Sequence, residues 1–312
     1  MTEREWIKRS LKQQGIKITG EIVEIHARPW STVLRVPTSS GDLYFKAVGS
    51  VFAFEPALTE ALYRLRPDCI LEVLAIDAER GWMLMADGGQ TLRMAFKKGL
   101  DRRTWDEVFA LYAGLQIDLA SRVDELLGMG VRDRRTLKLP MLYKKLLQEE
   151  EWLLIGQPDG LTTAEYQRLL NAVPQVEALC QELAAFGIFD SLHHNDLHDA
   201  NVFYNDGEIT FFDWGDSSIA HPFFSLRTAF VIIEYIFDLE EDDPVFDNLA
   251  RAYLRPFAQF KTEEYLWAAY QLARRLWSLS SAIKYKTQLR QIEGMREEYA
   301  TAVPGLLQEF LK

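Results

Sequence analysis

The sequence has 312 residues, of which 48% are hydrophobic and 26% charged, a composition that indicates a globular protein and excludes a disordered chain. Its 46 acidic side chains outnumber 35 basic ones, and the net charge of -11 opposes nonspecific binding to nucleic acid or to an anionic membrane. This balance suits a cationic partner, although acidity also serves solubility alone.

Cysteine content and hydropathy predict the compartment. Cys69 and Cys180 have neither the paired spacing of a zinc site nor that of a disulfide framework, which indicates a reducing environment. The N-terminal segment is charged and lacks the apolar core of a signal peptide. The most apolar stretch, residues 229–237, contains Glu234 and is shorter than the ~20 residues that a membrane helix needs. We therefore expect a cytoplasmic protein that does not bind membranes.

The N-terminal part of the sequence has the periodicity of strands. Apolar and polar side chains alternate through residues 18–48, and turn signals at Arg28-Pro29 and at residues 38–42 divide this stretch into three strands, most simply an antiparallel meander. Two helices are predicted at residues 2–14 and 54–65, and two further strands at residues 70–78 and 81–85. Five strands, with one helix between the third and the fourth, predict a small lobe over residues 1–88.

Beyond Thr91 the sequence takes on the periodicity of helices. Long amphipathic stretches with apolar spacings of three and four occur at residues 105–127, 142–154, 163–186 and 263–291. A strand-like island interrupts them at residues 192–212, where two apolar runs flank a turn at residues 205–207. A mainly helical lobe is therefore predicted over residues 89–312.

The island contains the residues that predict the chemistry. It reads His-His-Asn-Asp-Leu-His-Asp-Ala-Asn at residues 193–201 and Phe-Phe-Asp-Trp-Gly-Asp at residues 211–216. Phosphoryl transfer needs a carboxylate that orients or accepts the acceptor proton, and oxygen ligands for magnesium. Asp196 supplies the carboxylate for the acceptor proton. Asn201 and Asp213, at the two chain ends of one predicted hairpin, supply an amide and a carboxylate for Mg²⁺.

The same block resembles the aminoglycoside phosphotransferase family, whose relatives are choline kinases and, more distantly, protein kinases. The family pattern H-x-D-L-H-x-x-N matches each fixed position from His194 to Asn201. Protein kinases usually carry Lys at the place of His198 and Phe at that of Trp214, and they need a long activation segment, for which little room follows Asp213. The resemblance implies an α+β, bilobal protein-kinase-like fold with a small antiparallel-sheet N-terminal lobe and a mainly helical C-terminal lobe.

A kinase-like small lobe needs a strand lysine for the ATP phosphates and a helix glutamate that orients it. Lys46 lies in a predicted strand of the right order, and an exposed strand lysine is the alternative interpretation. Glu55 and Glu60 compete as its partner, and helical periodicity favours Glu55 because it lies nearer the apolar stripe. Met85 and Asp87 belong to the segment that resembles the hinge, whose backbone pairs with adenine.

These features predict an ATP- and Mg²⁺-dependent kinase that phosphorylates a hydroxyl group of a small molecule, such as an aminoglycoside, an amino alcohol or a sugar, with cationic acceptors among the candidates. The expected phosphate-covering loop, residues 27–31, contains no glycine, which favours an alternative, a non-catalytic nucleotide-binding regulator of the same fold. The intact catalytic and metal residues argue against that alternative. A hydrolase with a metal on His194 and His198 is a third reading, although no third zinc ligand is evident.

Overall fold

The computed structural model describes residues 1–97, 99–292 and 299–312. Its contacts divide the chain into two compact units, the first formed by Met1–Lys97 with Asp199–Gly215 and the second by Lys98–His198 with Asp216–Lys312. The predicted lobe boundary between residues 88 and 89 stays a prediction.

The described residues form ten strands and thirteen helices, apart from short 3-10 turns. The strands are β1 Val23–Arg28, β2 Ser31–Thr38, β3 Gly41–Val48, β4 Val73–Asp77, β5 Trp82–Ala86, β6 Arg132–Asp133, β7 Ser191–His193, β8 Val202–Asn205, β9 Glu208–Phe211 and β10 Ser218–Ala220. The helices are α1 Glu3–Gln13, α2 Glu55–Leu65, α3 Leu92–Ala95, α4 Arg102–Leu119, α5 Val123–Gly128, α6 Leu139–Gln148, α7 Thr163–Asn171, α8 Val173–Ala185, α9 Leu226–Phe237, α10 Pro244–Leu254, α11 Glu263–Arg274, α12 Trp277–Gln291 and α13 Ala302–Phe310. Across these described ranges, no helix is long and apolar enough to cross a membrane.

The first unit is built on a five-stranded antiparallel sheet in the order β1-β2-β3-β5-β4. The predicted meander is confirmed, with Pro29 and Trp30 as a two-residue turn between the paired residues Arg28 and Ser31. The sequence of β1 alternates between apolar and polar residues, but its burial does not follow this alternation. All of its side chains are exposed, including Ile25 at 52%. This strand lies at the sheet edge and adds backbone pairing but no buried face.

Helix α1 provides an apolar face to the same unit. Thr2 caps its first turn, since the Thr2 hydroxyl accepts a hydrogen bond from the Glu5 N–H while Glu5 accepts one from the Thr2 N–H at 2.7 Å. The buried side chains of the helix join those of the sheet in one core cluster, whose members include Trp6, Ile7, Leu11, Leu34, Val36 and Phe45. The β8–β9 hairpin also belongs to this unit, and the Phe211 N–H donates to the Cys69 carbonyl at 2.8 Å.

The second unit is mainly helical, which confirms the predicted fold class, but its helices are shorter than the periodicity predicts. The stretch 163–186 forms α7 and α8, because Pro174 lies at the start of α8, and a proline inside a longer helix would remove a backbone hydrogen bond. The stretch 263–291 is divided into α11 and α12 at Arg275 and Leu276, where the sequence has no glycine or proline. Continuous amphipathic spacing therefore marks the buried face without fixing where each helix ends.

A three-stranded sheet in the second unit has the order β6-β10-β7. Strand β10 pairs antiparallel with β7 and parallel with β6, so that Ser218 lies beside both His193 and Arg132. Strands β6 and β10 were not predicted from the sequence, because two and three residues are too few to show an alternation. This sheet positions the loop that follows β7, which carries Asp196.

Candidate active site

Lys46 is the centre of a charged cluster in the first unit. Its Nζ lies 2.6 Å from Oε1 of Glu55 and 2.6 Å from Oδ1 of Asp213. The residue is only 8% exposed, so the alternative of an exposed strand lysine is wrong. Burial disfavours the charge on the amine, but Asp213 and Glu55 outweigh this effect and raise the pKa of Lys46. The lysine is therefore a fixed cation between two carboxylates.

Glu55 is the glutamate that reaches this lysine, whereas Glu60 lies 3.0 Å from Arg64 of its own helix. Helix α2 begins at Glu55, and Pro56 suits the first turn because an N–H there has no partner within the helix. The Glu55 side chain is buried. A Cβ at Gly215 would lie 2.8 Å from its Oε2, so the segment after Asp213 approaches the glutamate closely only with glycine at this position.

Asn201 and Asp213 lie at the two chain ends of the β8–β9 hairpin, which the pairing of Val202 with Phe211 brings together. The Phe212 N–H donates to the Asn201 carbonyl at 3.4 Å. Asp213 has a φ of 64°, a left-handed conformation that is uncommon for residues other than glycine, and its side chain is 46% exposed. Amide and carboxylate oxygens are the donors that Mg²⁺ prefers, so the chemistry of this pair fits the ion.

The segment after β5 packs against the hairpin. Met85 is buried, and Asp87 accepts a hydrogen bond from the Gly89 N–H at 2.9 Å. A Cβ at Gly88 would lie 2.2 Å from the Phe203 ring, and Asn205 Nδ2 donates to the Gly88 carbonyl at 2.6 Å. Close packing therefore requires glycine at position 88.

An apolar cluster that was not predicted from the sequence lies beside this segment. Leu71, Met83 and Met85 are buried together, and Phe203 and Phe212 pack against them. The two phenylalanine rings are stacked, with centroids 4.1 Å apart. The signal in the sequence was a pair of aromatic residues, Phe203 in β8 and Phe212 directly after β9, which taken one at a time are assigned to the core.

Asp196 belongs to the second unit, in the loop that leaves β7. The Tyr112 hydroxyl accepts a hydrogen bond from the His194 N–H at 2.9 Å. Asn195, with a φ of 65°, donates through Nδ2 to the Asp216 carbonyl at 3.0 Å and to the Ser218 hydroxyl at 2.8 Å. These bonds hold the backbone on both sides of the turn that presents Asp196.

The Asp196 carboxylate lies beside an imidazole and an amine and is 35% exposed. Its Oδ2 lies 3.3 Å from Nε2 of His198, and its Oδ1 lies 4.0 Å from Nζ of Lys284. Burial raises the pKa of the Asp196 carboxyl, but the hydrogen bond to His198 and the charge of Lys284 outweigh it, so the pKa is lowered. Asp196 is therefore ionised at neutral pH and can accept a hydrogen bond from a hydroxyl group.

Lys284 also belongs to this site and was not predicted from the sequence. It lies on α12, 89 positions from Asn195, whose carbonyl accepts a hydrogen bond from its Nζ at 3.1 Å. Its Nζ is also 3.6 Å from Oδ2 of Asp216. The residues next to Lys284 in the sequence give no indication of this contact, because its partner is 89 positions away. Throughout the described part of the chain, no three or more His, Cys, Asp or Glu side chains are grouped so that they could hold a metal ion.

Comparison with known proteins gives a family and a fold. The family model described as "Phosphotransferase enzyme family" matches residues 84–270. No curated protein matches the sequence.

Solved structures of the same fold include kinases. A choline/ethanolamine kinase family protein from Mesorhizobium loti is similar with a TM-score of 0.63 and 16% identity, over 94% of this chain and 88% of that one. Choline kinase LicA from Streptococcus pneumoniae has a TM-score of 0.63 and 13% identity, over 99% and 98%. APH(2")-IIa in complex with streptomycin and ATP has a TM-score of 0.54 and 18% identity, over 99% and 97%. At sequence identities of 13–18%, structural similarity is evidence for the fold alone, and it confirms the kinase-like fold.

Proposed function

Because the chain belongs to the phosphotransferase enzyme family, we propose that it is a small-molecule kinase that uses ATP and Mg²⁺ to phosphorylate a hydroxyl group. The observation that carries this proposal is the placement of Lys46 within 2.6 Å of both Glu55 and Asp213. A buried cation held by two carboxylates, one of them beside an amide on the same hairpin, is suited to binding phosphates and a divalent ion together.

The nucleotide groups are assigned to the first unit. Lys46, oriented by Glu55, binds the α- and β-phosphates, and Asn201 and Asp213 are the residues that would hold Mg²⁺. When bound, the ion neutralises charge that develops on the phosphates. The apolar cluster of Leu71, Met83, Met85, Phe203 and Phe212 offers a surface for the adenine ring. The backbone from Met85 to Asp87 is proposed to pair with its edge.

Asp196 is proposed as the catalytic base. Its ionised carboxylate accepts the hydrogen bond of the acceptor hydroxyl and orients the oxygen toward the γ-phosphorus. As the new P–O bond forms, the bond from the γ-phosphorus to the bridging oxygen breaks and ADP leaves with that electron pair. The hydroxyl proton passes to Asp196. We further propose residues 1–88 as the ATP-binding lobe and residues 89–312 as the lobe with the catalytic loop and the acceptor site.

ATP affinity is expected to depend on magnesium, because Asn201 and Asp213 supply only part of a coordination shell that the phosphates complete. Calorimetric titration of ATP into the wild-type protein in Mg²⁺ and in EDTA measures this dependence. Asn201→Ala, which removes the amide oxygen, should weaken the magnesium-dependent part of the affinity. Equal affinity in both buffers would contradict the assignment of the metal ligands.

Glu55→Gln is expected to lower turnover by about tenfold or more, because a charge-assisted hydrogen bond to Lys46 is lost and such bonds contribute about 1.5–3 kcal/mol. Glu60→Gln is the matched control, since Glu60 pairs with Arg64 on the helix surface. ADP formation, followed at a temperature where each variant is folded, gives the comparison. A larger loss in Glu60→Gln would reverse the assignment.

An acceptor panel tests the proposed function itself. ADP formation and phosphorylated product are measured with ATP, Mg²⁺ and amino alcohols, sugars, aminoglycosides and hydroxy acids. We expect product with at least one acceptor class. ATP binding without turnover on the whole panel would favour the non-catalytic regulator instead.

A further inference from the structure

Arg134 is a buried guanidinium in the second unit without a hydrogen-bonding partner for its outer nitrogens. It follows β6, and its N–H donates to the Ile219 carbonyl of β10 at 2.9 Å. The residue is 3% exposed, and neither Nη1 nor Nη2 finds a partner among the described residues. Burial and the neighbouring charge of Arg132 lower the pKa of Arg134 to about 9, so it stays charged at neutral pH.

Charged groups surround Arg134. Arg132, Arg134 and Lys284 are cations; Asp216 acts on all three, and Asp196 acts on Lys284. Asp216 lies 3.6 Å from Lys284, and Asp196 lies 4.0 Å from the same amine. Among the described residues, neither carboxylate is hydrogen-bonded to the outer nitrogens of Arg134.

Two neighbouring titratable groups, His193 and Asp133, are not hydrogen-bonded to the outer nitrogens of Arg134. His193, beside Ser218 in the sheet, is neutral at physiological pH because burial and the charges of Lys284 and Arg134 hold its pKa well below the usual value. Asp133 is bonded to Arg135 at 2.7 Å and to Lys138 at 2.5 Å. Within the described ranges, the guanidinium of Arg134 thus has no hydrogen-bonded carboxylate, although it lies in the cluster that includes the proposed catalytic base.

A buried guanidinium without a partner is costly, because its lost hydration is not replaced. Buried polar groups in folded proteins are almost always hydrogen-bonded, so one without a partner calls for an explanation such as a catalytic role or a bound ion. Guanidinium groups bind carboxylates and phosphates through two parallel hydrogen bonds. We propose that the acceptor of this kinase carries an anionic group, a carboxylate or a phosphate, that pairs with Arg134; this inference rests on the proposed function.

The charge of Arg134 is opposite in sign to the net charge of -11. The net charge of the protein acts over long distances and is screened by salt. A buried cation acts at contact distance, and only a group that hydrogen-bonds to it can replace the water that the cation lost on burial. Because the outer nitrogens of Arg134 are shielded from solvent, the anion reaches them only when the covering groups move. The cluster therefore selects against a cationic acceptor.

Thermal unfolding in inorganic phosphate tests binding without any need for turnover. Wild-type protein should gain melting temperature as phosphate replaces chloride at constant ionic strength, because a ligand of the folded state stabilises it. Arg134→Met should lose this gain, and without phosphate it should melt at or above the wild-type temperature, since an unpaired buried charge has been removed. Arg135→Met is the matched control, because Arg135 is already paired with Asp133.

Two unfolding results would overturn the inference. The first is an equal phosphate response in Arg134→Met and Arg135→Met, which would place the anion elsewhere. The second is a large loss of melting temperature in phosphate-free Arg134→Met, which would make the arginine a structural group.

Matched acceptors test the substrate class. Glycerol is compared with glycerate and glycerol phosphate, and ethanolamine with serine. In the wild type, kcat/KM should be about tenfold or more higher for the anionic member of a pair, and Arg134→Met should reduce this ratio. Preference for the cationic or neutral member, with ATP still consumed, would refute the inference and leave the kinase assignment intact. Absence of transfer to every acceptor would count against the proposed function, while the phosphate response would still decide the anion site.

Discussion

Asp196→Asn is expected to lower kcat by about 10²-fold or more, the usual scale for loss of a general base. Asparagine keeps the size of the side chain but removes the charge that holds the acceptor hydroxyl and takes its proton. ATP binding should survive, because the groups assigned to the nucleotide are Lys46, Asn201 and Asp213. Steady-state rates with a true acceptor, together with calorimetric ATP titration, measure the two effects separately.

Stability must be followed beside the rate, because Asp196 also contacts His198 at 3.3 Å and lies 4.0 Å from the buried Lys284. Asp206→Asn is a suitable control. Asp206 lies in the hairpin turn with a φ of 51°, which asparagine tolerates, and the change removes a carboxylate of the same size. A folded Asp196→Asn protein with the wild-type rate would show that another group accepts the proton.

Lys46→Met is expected to reduce kcat/KM by at least about tenfold and to destabilise the fold as well. A lysine on the surface of a strand could be removed with little loss of stability. Here Glu55, 1% exposed, would keep a buried charge without its cation, and breaking such a pair typically costs about 3–5 kcal/mol. Asp213 is 46% exposed and is compensated by water more easily. Chemical denaturation and ATP turnover report the two losses.

The double variant Lys46→Met/Glu55→Gln separates binding from stability. Replacing both partners removes the uncompensated carboxylate, so the free energy of unfolding should recover in part relative to Lys46→Met. Turnover should not recover, since the phosphates have lost their cation. Restoration of both properties together would make the lysine structural, and normal turnover in the single variant would show that another residue binds the phosphates.

Local signals explain why much of the fold could be predicted. Alternation and turn residues are encoded within a few positions, so the meander, helix α2 and the β8–β9 hairpin are readable from the chain itself. The pairing of Lys46 with Glu55 rather than Glu60 was also accessible, because helical periodicity places only the former near the buried face. The roles assigned to Asp196, Asn201 and Asp213 come from spacing and remain predictions.

The remaining features depend on contacts between distant segments. Strands β6 and β10 are defined by pairing and not by their two or three residues. Lys284 reads as an ordinary residue of a helix until α12 is placed beside the loop of Asn195. The run from Arg132 to Arg135 looks like a solvated basic stretch, and only burial distinguishes Arg134 within it. The spacing of apolar residues along the chain does not predict these contacts or this burial.

Transfer of labelled phosphate tests the central claim most directly. Wild-type protein is incubated with ATP carrying ¹⁸O in its γ-phosphate, Mg²⁺ and the acceptor panel, and the products are analysed by mass spectrometry. We predict ADP together with a phosphate ester of one acceptor that retains the label, and loss of this product in Asp196→Asn. Label found only in free phosphate, or ATP that is bound and recovered unchanged, would contradict the assignment of this chain as a small-molecule kinase.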